Sequence, residues 1–171
     1  MPLTMHEIAA PAFLQMLHSL SAILDKAAEH AQASGVDPAE LIGSRLAPDM
    51  LPFSKQVQIA TDHAKGAIAR LAGRDVPKFE DTESTVAELK ARLAKTMAFI
   101  DSVEPVELEG SEDRQVTLRI AGREMSFTGR QYLQNFALPN FYFHVTTAYA
   151  ILRHKGVPLG KADYIGRSAL G

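Results

Sequence analysis

The sequence contains no cysteine among its 171 residues. Disulfide bonds, thiolate nucleophiles and zinc–thiolate sites are therefore excluded. Any metal ion would have to bind histidine, carboxylate, asparagine or water. A chain of this length buries roughly two thirds of its unfolded surface and needs no disulfide to stay folded. We therefore expect a single domain over residues 1–171.

The chain also lacks an excess of charge of either sign. Its 18 basic and 20 acidic residues leave a net charge of −2, so no strong electrostatic field attracts nucleic acid. The first residues have no basic segment before an apolar run, and we find no apolar stretch approaching the ~20 residues of a membrane span. We expect no nucleic-acid partner, no membrane association and a cytoplasmic location.

Familiar catalytic motifs are absent as well. The chain has no G-x-S-x-G, H-E-x-x-H or phosphate-loop sequence. It has no Glu-x-x-His unit of the kind that holds two iron ions in helical bundles. The sequence therefore leaves open whether the protein is an enzyme.

Four segments show helical periodicity, and their start signals are clear. The first and third begin with the capping boxes of Thr4 and Thr85, in which a glutamate follows three residues later. We predict an all-α, four-helix bundle. The predicted helices cover residues 4–33, 51–71, 85–103 and 128–155.

Between the third and fourth helices the apolar period changes from helical to two. Residues 115–120 and 124–127 alternate around the turn 121–123, which predicts a small β-hairpin inserted into the bundle. Two strands alone are marginal in water, so their apolar side should pack on the bundle or on another subunit. The glycine-rich tail after residue 155 is predicted to be coil.

Polar residues are most informative on the fourth helix, which is apolar most of the way round and is predicted to be the most buried. Asn140, His144 and Thr147 follow one another along one face of it. Each needs a hydrogen-bond partner or a ligand. Either they satisfy one another internally, with Asn140 replacing the helical bond that Pro139 disrupts, or they surround a ligand or metal site centred on His144.

On the second and third helices the apolar stripes leave the charged residues outside. Asp62, Lys90, Arg92 and Lys95 are predicted to point to solvent. His63 falls on the flank of the second helix, on a line with Gln56, Ile59, Gly66 and Arg70.

The segment 138–157, with its PNFYFH sequence, and the segments 160–164, 46–50 and 56–65 resemble a bacterial family of unknown function placed with the DinB/YfiT-like bundles. The resemblance covers essentially the whole chain. It implies a DinB-like fold and a homodimer. It also implies a metalloenzyme in which a histidine of helix two and a histidine pair of helix four bind nickel or zinc, with thiol-dependent transfer in some members.

In this chain, the resemblance implies that His144 and His63 are metal ligands. Asn140 stands where the first histidine of the helix-four pair would be, so the set of three imidazoles is incomplete. Our leading hypothesis is a cleft lined by Asn140, His144 and Thr147, with Tyr149 or His63 nearby, that binds a small molecule or a degenerate metal site. The alternative is a non-catalytic, dimeric binding or stress-associated module whose polar core satisfies itself.

Overall fold

The structure, a computed structural model, describes residues 3–166. Four long helical segments form a bundle, and a two-stranded antiparallel hairpin lies between the third and the fourth, as predicted. The elements are α1 (Met5–Ser34), α2 (Pro38–Gly43), α3 (Phe53–Ala72), α4 (Val86–Asp101), a 3-10 turn (Pro105–Leu108), β1 (Gln115–Ile120), β2 (Arg123–Thr128), α5 (Gly129–Tyr132), a π turn (Leu133–Ala137), α6 (Leu138–His154) and α7 (Lys161–Ile165).

The predicted helix starts are confirmed. The Thr4 hydroxyl accepts the N–H of Glu7, and the Glu7 carboxylate accepts the N–H of Thr4 at 2.8 Å. Thr85 and Glu88 make the same reciprocal pair at the start of α4. Each box satisfies N–H groups that the first turn of a helix leaves unpaired.

The bundle order follows from which helices pack together. α1 packs on α4, α4 on α3, and α3 on α6, which closes the bundle against α1. Thirteen of the 20 residues of α3 are buried, against six of the 17 of α6. The prediction that the fourth helix is the most buried was therefore wrong, because α3 is more fully covered by its two neighbours α4 and α6, whereas α6 leaves large side chains exposed. Tyr142 and Phe143 of α6 are 37% and 57% exposed.

The hairpin has the predicted strands, and Val116 pairs with Phe127 near its base. Ala121 and Gly122 form the turn with φ of 48° and 80°, the positive values that a two-residue hairpin turn of type I′ requires. Val116 is buried, whereas Met125 near the tip is 43% exposed. Val116, Leu118 and Phe127 of its apolar side pack on the bundle, whereas Met125 does not, and packing of that side on another subunit stays a prediction.

The fourth predicted helix begins after Thr128, whose hydroxyl accepts the N–H of Gln131. It continues to His154 through the π turn, in which the N–H of Leu138 bonds the carbonyl of Leu133, five residues back. Pro139 follows directly. Because proline lacks an N–H and its ring crowds the preceding turn, the wider π turn accommodates it without ending the helix.

The tail differs from the predicted coil. Residues 161–165 form α7, which packs on α1. The Gln15 amide donates to the carbonyl of Ile165 at 2.9 Å, and Lys26 pairs with Asp163 at 2.6 Å. The carboxylate of Asp163 also accepts the N–H of Gly160, which supports the first turn. Residues 167–171 of the predicted coil lie outside the described part of the chain.

By length and composition α1 could cross a membrane, with a mean hydropathy of 1.3 over its most apolar window. From the sequence we expected no stretch apolar enough to span a membrane, whereas α1 meets that criterion by length and hydropathy. Half of that window is buried inside the bundle, as expected of the core helix of a soluble fold.

Candidate functional site

His63 of α3 and His144 of α6 lie face to face. Their ring centroids are 5.8 Å apart and the ring planes differ by 16°. Phe136 of the π turn lies 5.8 Å from the His63 ring, and Phe143 lies 5.2 Å from the His144 ring. Both imidazoles are half-buried. The packing of α3 on α6 thus brings together the two histidines that the sequence singled out as metal ligands.

A third polar side chain, Gln56, sets the protonation of His144. The buried Gln56 amide donates from Nε2 to the carbonyl of Leu51 at 3.0 Å, so its Oε1 is the atom that faces His144. Oε1 lies 2.7 Å from Nδ1 of His144. Since an amide oxygen only accepts, this network assigns the proton to Nδ1. Nε2 of His144 consequently carries a lone pair.

Both histidines are neutral at pH 7. Burial lowers the pKa of His63 to about 4, helped by His144 and Arg70 and opposed by the carboxylate of Asp62. Burial also lowers the pKa of His144. Removal from water disfavours the charged imidazolium. The pair therefore offers uncharged nitrogen atoms to a ligand.

Asn140 and Thr147 are engaged within their own helix. The Asn140 amide donates to the carbonyl of Phe136, and the Thr147 hydroxyl donates to the carbonyl of Phe143, each at 2.7 Å. Such bonds to a carbonyl four residues back satisfy a polar side chain locally. Asn140 does not replace the bond that Pro139 removes, because that bond would end on the carbonyl of residue 135. Both side chains fit the reading in which the polar stripe satisfies itself.

Tyr149 lies on another side of α6. Its ring packs edge-on against Tyr164 of the α7 region, with centroids 5.8 Å apart. Five residues along a helix turn the chain by about 140° away from His144. Thr146, Tyr149, Lys161 and Tyr164 line a groove of about 200 Å³ there.

The sequence missed a second polar cluster, between α3 and α4. Arg92, predicted to face solvent, is 3% exposed. Its Nε donates to Thr61 at 2.7 Å, Nη2 to Asp62 at 2.9 Å and Nη1 to Glu83 at 3.1 Å. Asp62, also predicted to be solvated, is half-exposed and pairs with both Arg92 and the buried Lys65.

A positional signal for this cluster exists in the sequence. Arg92 follows Leu89 by three residues and precedes Thr96 by four, so it borders the apolar stripe of α4. Its side chain is long enough to reach carboxylates on α3 and on the loop before α4. Arg92 is buried because those elements carry opposite charge. The apolar stripe of α4 alone does not predict this burial.

The metal site implied by the resemblance does not fit the residues present. Within residues 3–166, no three His, Cys, Asp or Glu side chains are grouped so that they could hold a metal ion. Asn140, in place of a third histidine, directs its amide N–H at a carbonyl. Two imidazoles fall short of the three protein ligands usual for zinc in catalytic sites.

A helical bundle with a hairpin inserted between its third and fourth long helices is the DinB-like fold that was predicted. The family model described as "Domain of unknown function (DUF1993)" matches residues 5–165. The chain belongs to this family. It is 40% identical to a DinB family member protein from Shewanella denitrificans in a crystal structure, with a TM-score of 0.88 over 94% of this chain and 91% of that chain. No protein of curated function matches it.

Proposed function

We propose that this protein binds a small molecule at the surface between α3 and α6, where His144 and His63 lie. The observation that carries the proposal is the bond from His144 Nδ1 to Gln56 Oε1. It fixes the ring and leaves Nε2 as a hydrogen-bond acceptor beside a second neutral imidazole. The aromatic rings of Phe136 and Phe143 supply apolar contact area next to these polar groups.

Binding fits this site better than proton abstraction. A general base works best with a pKa near the working pH, whereas burial brings the pKa of His63 to about 4. Such imidazoles accept a hydrogen bond but hold a transferred proton poorly. The proposal is therefore a binding protein, with no reaction assigned.

An incomplete metal site is the second form of the same proposal. Two neutral imidazoles could hold nickel or zinc if the bound small molecule supplied the remaining ligand atoms. In that form His63 and His144 are the protein ligands, and Asn140 and Thr147 are not.

The test is a titration followed by NMR of the histidine Cε1–Hε1 groups. A small-molecule library is screened by thermal shift, and each hit is titrated with and without nickel, zinc or EDTA. We expect saturable shifts of His63 and His144. His144→Ala should abolish the shift of His63, while His154→Ala, at the exposed end of α6, should leave both shifts unchanged. Hits that shift neither histidine would overturn the proposal.

A dimeric module is the second candidate function, favoured by the exposed aromatic rings of α6. Tyr142 and Phe143 are adjacent and 37% and 57% exposed, more than large aromatic side chains usually are. A homodimer would cover them. Light scattering at micromolar concentration should then give twice the chain mass, and Phe143→Ser should halve it. A monomer in both cases would contradict this candidate.

A further inference from the structure

Arg70 lies on α3 on the same side as His63 and has no acidic partner. It is half-buried, and no carboxylate among residues 3–166 lies within ion-pair distance of it. Arg74, one turn further along the chain, pairs with Glu107 at 2.6 Å. A half-buried cation without a counter-charge gives up hydration and gains no ion pair in return. Arg70 is thus a charge that the fold leaves uncompensated.

The position of the guanidinium group is set by Gly66. A Cβ atom added to Gly66 would lie 2.5 Å from Nη1 of Arg70. The guanidinium therefore lies back over α3 at Gly66, toward the turn that carries His63. Any larger residue at position 66 would displace it.

Tyr132 of α5 holds the guanidinium there. Arg70 Nη1 donates to the Tyr132 hydroxyl at 3.0 Å, and this is a neutral acceptor that leaves the positive charge unbalanced. The other N–H groups of the guanidinium remain for a ligand, because arginine has five in all. A fork of N–H groups fixed at one point is well suited to a carboxylate or phosphate group.

One aromatic wall joins Arg70 to the histidine pair. The Tyr132 ring lies 6.0 Å from Phe136 at an interplanar angle of 22°, and Phe136 lies 5.8 Å from His63. The charge of Arg70 also contributes to lowering the pKa of His63, so its field reaches that imidazole. Arg70 and His63 therefore lie at the two ends of one row of aromatic rings.

We propose that the ligand of this protein is a small organic anion, whose carboxylate or phosphate group binds Arg70 while its uncharged part lies against Phe136 and the histidine pair. This inference rests on the proposed binding function and adds the chemical class of the ligand.

The test uses three aromatic probes of similar size: benzoate, phenyl phosphate and uncharged benzamide. Each is titrated into the full chain at constant ionic strength, and the His63 Cε1–Hε1 resonance is followed by NMR. We expect at least one of the anions to bind His63 saturably and at least tenfold more tightly than benzamide. The preferred anion identifies which of the two groups the site favours.

Variants of Arg70 test whether its positive charge is responsible for anion binding. Arg70→Met should weaken anion binding at least tenfold and leave benzamide binding within twofold, whereas Arg70→Lys should retain part of the preference. Arg45→Met, which removes an exposed arginine bonded only to a carbonyl, is the matched control and should change neither. Without any ligand, Arg70→Met should raise the pKa of His63.

Two results overturn the inference in different ways. Benzamide binding as tightly as the anions, with no effect of Arg70→Met, would exclude the anion site and leave the binding function standing. No saturable shift of His63 with any of the three probes would overturn both the inference and the binding function beneath it.

Discussion

The two polar sides of α3 differ in how their buried charged groups are stabilised. Toward α4, the buried Lys65 and Arg92 meet Asp62 and Glu83, so positive and negative groups neutralise one another. Toward α5 and α6, burial favours the neutral form of the two histidines, and the cation of Arg70 contacts the uncharged hydroxyl and ring of Tyr132.

The difference shows which polar cluster serves the fold. Paired opposite charges such as those of Arg92, Glu83 and Asp62 specify how two helices pack. A fixed imidazole lone pair beside an uncompensated cation leaves interactions unmade, and such interactions are available for binding. The ion pairs toward α4 therefore hold the two helices together, and the side toward α6 is the candidate site.

The largest expected effect is on the side toward α4. Arg92→Met should lower the free energy of unfolding by about 3 to 5 kcal/mol, because it leaves buried acceptors and the carboxylate of Glu83 without their partner. Lys95→Met is the control on the same helix. Its exposed ammonium group only lies over the Phe79 ring, so about 1 kcal/mol or less should be lost. If urea denaturation gave equal losses of unfolding free energy for the two variants, the buried network of Arg92 would not be important for stability.

The next effect is a pH dependence from the other side. The pKa of His63 is about 4 in the fold, against the ordinary value of 6.5. The unfolded chain therefore binds more protons between these values, so stability is fully present above pH 6.5 and falls as the pH drops toward 4. The loss from this group should be about 2 to 3 kcal/mol. Urea denaturation at pH 7 and pH 4 should show a smaller difference for His63→Gln than for the unaltered chain; the same difference in both would refute the assignment.

Removing His144 should have a smaller effect. His144→Ala leaves Oε1 of the buried Gln56 without a donor, which should lower the free energy of unfolding by about 1 to 3 kcal/mol at pH 7. His154→Ala, at an exposed position, should stay within about 0.5 kcal/mol. If His144→Ala were instead more stable, His144 would lower the stability of the fold, as residues kept for function often do.

The smallest effect should come from Arg70. Arg70→Met removes one bond to Tyr132 and an unpaired charge, two changes of opposite sign, so stability should change by about 1 kcal/mol or less. The same replacement at Arg92 is the comparison variant. If urea denaturation showed that Arg70→Met lowers the free energy of unfolding as much as Arg92→Met, then Arg70 would stabilise the fold as Arg92 does.

Much of the fold was predictable because its signals are local. Thr4, Thr85 and Thr128 mark helix starts with side chains that bond the first N–H groups, and the alternation of residues 115–120 marks a strand. Each signal depends on neighbours a few residues away. The π turn before Pro139 and helix α7 escaped prediction, since one depends on how a long helix accommodates proline and the other on a docking surface of α1.

The candidate site was predictable only in part. His144 was proposed because its imidazole falls on an apolar face, and His63 because the resemblance implies a metal ligand on helix two. Tyr149 was grouped with them, although its ring packs on Tyr164. Gln56 and Arg70 stood on the same line of α3 as His63, yet an amide and an arginine on a helix flank are ordinary surface residues. Nothing local distinguishes them.

The sequence by itself determined the helices, the hairpin and the faces that bury apolar residues, because periodicity and capping act within one segment. Only the tertiary structure decided which polar residues of α3 became neutralised and which did not. Arg92 is buried because carboxylates of α3 and of the loop before α4 surround it, and Arg70 remains unpaired because α5 presents a tyrosine hydroxyl to it. The free energy of a charge depends on what lies within a few ångströms in space, and residues far apart in the chain supply that environment.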